Sequence, residues 1–193
     1  MLAGALEGFE HRGEVVIRHR AFELDPGAAT SYDLSLDELV AKKYGIEVER
    51  ARALNERLEA QAQSFGMTWS IKDARPTNSF DAHRLIALAQ AQGLGDAMNE
   101  RLFRAYFSEG HLLSDHDTLA SLGVEVGVVG VEELWRDDGH ARDVRSDELE
   151  AQELGISGVP AMLFDGKFMI AGAQGAEQML TVLRRAWARR DAA

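Results

Sequence analysis

The residues able to do chemistry are few. A Gly155-Ile156-Ser157-Gly158-Val159-Pro160 run stands just before two short apolar stretches. A proline directly ahead of a strand is compatible with a cis bond in a tight turn, a rare and position-specific geometry. Asp81 and His83 fall at the start of a helical stretch and could line a cleft. Their spacing is too short for an i,i+4 ligand pair and no third ligand accompanies them, so a hydrogen-bond network at the helix start is the simpler reading. His111, Asp115, His116 and Asp117 cluster, but acidic residues at a helix start complement its dipole, and no second cluster with ligand spacing exists. No metal site is expected. Ser79 and Ser157 lack a Gly-X-Ser-X-Gly elbow and a paired base, and caps and turns account for both. Gly123, Gly127 and Gly130 do not have dinucleotide-fingerprint spacing. The chain contains no cysteine. It therefore has no disulfide, no thiolate nucleophile and no Cys-ligated metal.

These residues must be placed by elements that the pattern defines. Leu2, Leu6 and Phe9 make residues 2–10 an amphipathic helical segment. Residues 14–20, with Val15 and Ile17 on one face, predict a strand, and Asp25-Pro26-Gly27 predicts a turn. Ser35 and Glu38 form a capping box for a helix that stops at Gly45. Val48, Ala51, Leu54, Leu58, Ala62 and Phe65 predict a long helix over 47–64, its Glu/Arg-rich face solvated. A short extended piece follows at 67–71. Asn78 or Ser79 caps a helix over 80–92, and further helices fit 96–108, 115–122, 131–137 and 140–154. The pattern then switches. Ala161–Phe164 and Lys167–Ile170 are joined by Asp165-Gly166, a strong hairpin signal. Met179, Leu180, Leu183 and Trp187 mark a last helix over 175–190.

The 193 residues are 46% hydrophobic and 27% charged, as expected for a chain with a buried core. The net charge is −11. Such a surface repels phosphate backbones and anionic membranes, so neither nucleic acid nor a membrane is an expected partner. Arg184, Arg185, Arg189 and Arg190 complement the end of the last helix. No apolar run reaches membrane-span length, and Glu7 and Glu10 interrupt the apolar opening residues. A cytoplasmic location is the resulting expectation.

The order of strand, long helical block, Val-Pro, hairpin and helix resembles the thioredoxin fold, an α/β architecture. The helical insertion makes the chain similar to the DsbA family. Four stretches resemble its FrnE-like branch in particular. They are Ala21-Phe22-Glu23-Leu24-Asp25-Pro26, Asn78-Ser79-Phe80-Asp81-Ala82-His83-Arg84, Leu102-Phe103-Arg104-Ala105-Tyr106-Phe107 and Gly155 to Pro160, the last followed by Asp165-Gly166-Lys167 and Gly172-Ala173-Gln174. The resemblance spans essentially the whole chain. It divides the chain into two thioredoxin-like halves of one sheet, 1–34 and 151–193, around a helical insertion, 35–150.

The resemblance implies a thiol–disulfide oxidoreductase or isomerase acting on protein or peptide thiols and disulfides. Members of the family begin with a strand followed by Cys-X-X-Cys at the start of the first helix. Here the first residues correspond to the middle of that helix, so the first strand and the cysteines are absent, a gap of roughly 20 residues by element length. A thiolate at a helix N-terminus is stabilised and attacks disulfides, and the second cysteine resolves the mixed disulfide. The family places a cis-proline loop opposite. Carried over, that loop is Val159-Pro160, whose Val159 backbone would pair with an extended substrate. Without its first strand the sheet would have unpaired ladder groups, so poor folding or a borrowed strand is expected, and a homo-oligomer is allowed. Two other readings stay open. One is a glutathione-dependent isomerase or transferase of the 2-hydroxychromene-2-carboxylate isomerase or kappa type, with glutathione as its cofactor where the first reading needs none. The other is a redox-inactive peptide-binding module.

Overall fold

The structure is a computed structural model, and it describes residues 2–190. Its contacts divide the chain into two compact units: residues 1–18 with 148–193, and residues 19–147.

The discontinuous unit is built on a hairpin. Strand β1 (Ala161–Phe164) pairs antiparallel with β2 (Phe168–Ala171), with Met162 opposite Ile170 and Leu163 opposite Met169. Asp165 and Gly166 both adopt positive φ, the backbone that a two-residue hairpin turn requires. One face of the hairpin carries Met162, Phe164 and Ile170 against helices α1 (Leu2–Glu7) and α9 (Ala176–Arg190). Ala5, Phe9, Met179 and Leu183 are buried there. The two helices approach closely because small residues face the contact: a β-carbon on Gly4 would stand 3.5 Å from the Ala176 β-carbon, and one on Gly8, just past α1, 3.2 Å from a Leu180 methyl. The pleat turns Leu163 and Met169 to the other face, where both remain more than 40% exposed.

The second unit is helical. It contains α2 (Leu36–Tyr44), α3 (Val48–Ser64), α4 (Phe80–Ala91), α5 (Gly95–Phe107), α6 (His116–Val126), α7 (Val131–Leu134) and the start of α8 (Ala141–Glu153). Ser35 accepts a hydrogen bond from the Glu38 N–H, while the Glu38 carboxylate accepts from the Ser35 N–H, and Gly45 ends α2 in the left-handed conformation. Leu85, Met98, Ala105, Leu119 and Leu122 form a core between α4, α5 and α6. Gly123 admits α7 to this core, since a β-carbon there would lie 2.8 Å from Val131 Cγ2.

Two expectations need correction. Residues 14–20 are not a strand. Arg12–Glu14 form a 3-10 turn, Val15 is extended, and residues 16–20 have no regular secondary structure and no ladder partner among the described residues. An extended segment becomes a strand only when a neighbour takes its backbone groups. Here side chains do so instead: the His19 N–H donates to Gln90 Oε1 at 2.8 Å and the Ala21 N–H to Asp147 Oδ2 at 2.9 Å. Residues 19–34 belong to the unit that spans residues 19–147. The second correction is minor. Residues 67–70 have no regular secondary structure, and Ile71–Asp73 form a 3-10 turn.

Candidate functional site

The Val159–Pro160 segment is set by what flanks it. Helix α8 ends in a left-handed Gly155 whose N–H donates to the Gln152 carbonyl at 3.0 Å, while the Ile156 N–H donates to that of Ala151 at 2.8 Å. This pair of bonds satisfies the last carbonyls of the helix and turns the chain out of it. Residues 158–160 form the bend. The Val159–Pro160 peptide bond is cis. On the far side the Pro160 carbonyl accepts the Gly172 N–H at 2.8 Å, which ties the loop to the end of β2. Val159 and Pro160 are exposed, Val159 by 50%. Among the described residues neither the N–H nor the carbonyl of Val159 makes a backbone hydrogen bond.

An exposed residue with a free donor and a free acceptor can pair with an extended peptide as an added strand does. Nothing in the loop is a strong nucleophile, and the chain has no thiol anywhere.

Asp81 and His83 lie in the helical unit, in the first turn of α4. Asp81 accepts from Arg84 Nη1 at 2.8 Å and faces His116 Nε2 at 2.8 Å. The His83 N–H donates to the Ser79 carbonyl, and its ring is half-buried. The structure gathers around Asp81 two partners that sequence reasoning did not single out as site residues, Arg84 and Trp135, together with His116, which the sequence placed in a separate cluster. Arg84 is buried. It donates to the carbonyls of Leu134, the last residue of α7, and of Asp137 and Gly139 beyond it, and its guanidinium lies 5.7 Å from the centre of the Trp135 ring. His116 stacks on Trp135 at 4.5 Å. The i,i+3 spacing of Asp81 and Arg84 was a readable pairing signal. Nothing local could have paired Asp81 with His116 or placed Trp135 beside them. Two donors bound to Asp81 and a buried arginine joined to three carbonyls make this a structural tie between helices.

The remaining polar cluster is a cap. Asp115 accepts from the Thr118 N–H at 2.9 Å and its hydroxyl at 2.6 Å, and these bonds hold its carboxyl below the usual aspartate range. Asn78, not Ser79, supplies the side-chain bond at the start of α4, accepting the Phe80 N–H at 2.9 Å. Burial pushes the Tyr106 hydroxyl above its ordinary value. No group of three or more His, Cys, Asp or Glu suited to a metal occurs among the described residues.

Residues 4–184 match the model of the DSBA-like thioredoxin domain. The chain belongs to the DsbA-like thioredoxin family. A solved structure agrees: the probable DsbA oxidoreductase of Streptomyces coelicolor is 34% identical, superposes with a TM-score of 0.90, and is matched over 97% of this chain and 82% of its own. No curated protein matches in sequence. Fold and family place the chain with the thiol–disulfide oxidoreductases in general kind. No helix among the described residues is long and apolar enough to cross a membrane.

Proposed function

We propose that the chain forms the substrate-holding body of an FrnE-like thiol–disulfide oxidoreductase or isomerase of the cytoplasm. Val159 presents its backbone to an extended protein substrate. The observation that carries this reading is the exposed Val159 with neither backbone group in a backbone hydrogen bond, in a chain of this family. Electron exchange itself needs a cysteine pair, which residues 1–193 do not contain.

The first test is the intact mass of the protein from its native source, reduced, with and without iodoacetamide. Two alkylated thiols on a species heavier than 21.2 kDa support the oxidoreductase. An unalkylated species of 21.2 kDa removes the redox half of the proposal and leaves peptide binding.

The absence of cysteine favours that second reading, a binding module without redox chemistry. Both readings expect a labelled, extended, cysteine-free peptide to bind residues 1–193. Val159→Pro deletes the N–H and weakens binding about fivefold, the worth of one hydrogen bond near 1 kcal/mol, whereas Val159→Ala does not. Equal affinity of the two variants refutes backbone pairing at this residue. Saturable glutathione binding without peptide binding would instead support a glutathione-dependent isomerase or transferase.

A further inference from the structure

The helical unit holds a polar cleft of about 220 Å³. Its lining includes Ser31, Tyr32, Lys72, Asp73, Arg75 and Pro76. Three stretches distant in sequence build it, and each is pinned. The Thr30 carbonyl accepts the hydroxyls of Thr77 at 2.7 Å and Ser114 at 2.5 Å. The Asn78 N–H donates to the Ala29 carbonyl at 2.8 Å, and the Ala29 N–H donates to the Tyr32 hydroxyl oxygen at 2.8 Å. On the other wall the Ser70 N–H donates to the Phe107 carbonyl at 2.6 Å. There the backbone of Asp73 passes so close to Gly110 that a β-carbon would sit 2.8 Å from the Asp73 carbonyl oxygen. The walls are therefore fixed before anything binds.

The charges within it are unusual for this chain. The net charge is −11, yet Lys72 and Arg75 both line the cleft and neither has an ion pair among the described residues. The one lining carboxylate, Asp73, already accepts the Ser70 hydroxyl at 2.5 Å. Arg75 lowers the Asp115 carboxyl, but as the weakest of its influences, since Thr118 holds that group. Tyr32 uses its oxygen as an acceptor and keeps its proton to donate, and the Ser31 hydroxyl is unengaged. Arginine's planar fork, a lysine point charge and two hydroxyl donors match the oxygens of a tetrahedral oxyanion.

We propose that this cleft binds a small soluble molecule through its phosphate group. The acidic surface disfavours the alternative source of the same chemistry, an anionic lipid headgroup, because the whole protein would have to approach a negative membrane. The site is independent of the Val159 reading and survives its failure.

The test is titration of the full chain with inorganic phosphate at constant ionic strength, chloride replacing phosphate, followed by amide chemical shifts. Saturable shifts confined to residues 31–35 and 72–76 are expected. Arg75→Gln and Lys72→Gln, both at exposed positions that leave the fold intact, should each weaken binding at least tenfold, and Tyr32→Phe severalfold. Shifts that grow linearly without saturation, that spread over the surface, or that persist unchanged in Arg75→Gln overturn the site. Cosedimentation with phosphatidic acid vesicles and no saturable response to free phosphate overturns the soluble ligand.

Discussion

Replacing Arg84 with alanine should destabilise the helical unit by about 3 kcal/mol, the low end of what removing one partner of a buried ion pair costs. The side chain is 9% exposed and its partner Asp81 25%, so the pair is shielded but not sealed, which selects the low end. The loss has two parts. Asp81 keeps His116 as a partner but loses the guanidinium. The Leu134, Asp137 and Gly139 carbonyls lose their shared donor, and the bond to Leu134 is fully buried. Arg84→Lys retains the charge, yet a single ammonium cannot span Asp81 and three carbonyls at once. It should cost about 1–2 kcal/mol, the equivalent of one or two lost bonds. Urea denaturation followed by tryptophan fluorescence is the assay, because Trp135 lies against the guanidinium and reports on the same unit. A cycle with Asp81→Asn isolates the pair, and a coupling above 1 kcal/mol is expected for residues in one network. If Arg84→Ala unfolds within 1 kcal/mol of the parent chain, the assignment of Asp81 and Arg84 as a structural tie is wrong.

Two further outcomes follow from local geometry. Asp115→Ala removes the cap of α6 and should cost about 1 kcal/mol at neutral pH. Because the folded carboxyl is depressed, that contribution is present above the unfolded aspartate value and is lost as pH falls through the folded one, so parent and variant should converge in acid melts. Gly110→Ala places a β-carbon at φ +67 and against the Asp73 carbonyl, and should cost about 2 kcal/mol or more. Gly66→Ala, at φ +78 but in open space, should cost only the backbone penalty of about 1 kcal/mol. Equal losses in thermal melts would show that the close approach at Gly110 is relaxed.

Elements that depend on neighbours in sequence were legible from the residues alone. The capping box at Ser35 and Glu38, the left-handed Gly45 and the hydrophobic period of α3 act within a few residues, and each formed where the pattern placed it. So did the Asp165-Gly166 hairpin, offset by one residue in its second strand.

What depended on distant partners was not legible. The period-two pattern of residues 14–20 stated a preference for extension, but a strand also needs a ladder, and side chains of Gln90 and Asp147 bind the chain around residues 19–21 instead. Asp81 read as a titratable residue near a helix start. Only packing brought His116 beside it and buried Arg84 under Trp135. The phosphate-class cleft joins residues near 31, 73 and 112, and no window of sequence contains all three. Local hydrogen bonding and side-chain period are encoded over a turn or two of chain. Burial, charge pairing and clefts arise from long-range closure, whose partners the sequence contains but does not bring together until the core of α4, α5 and α6 has packed.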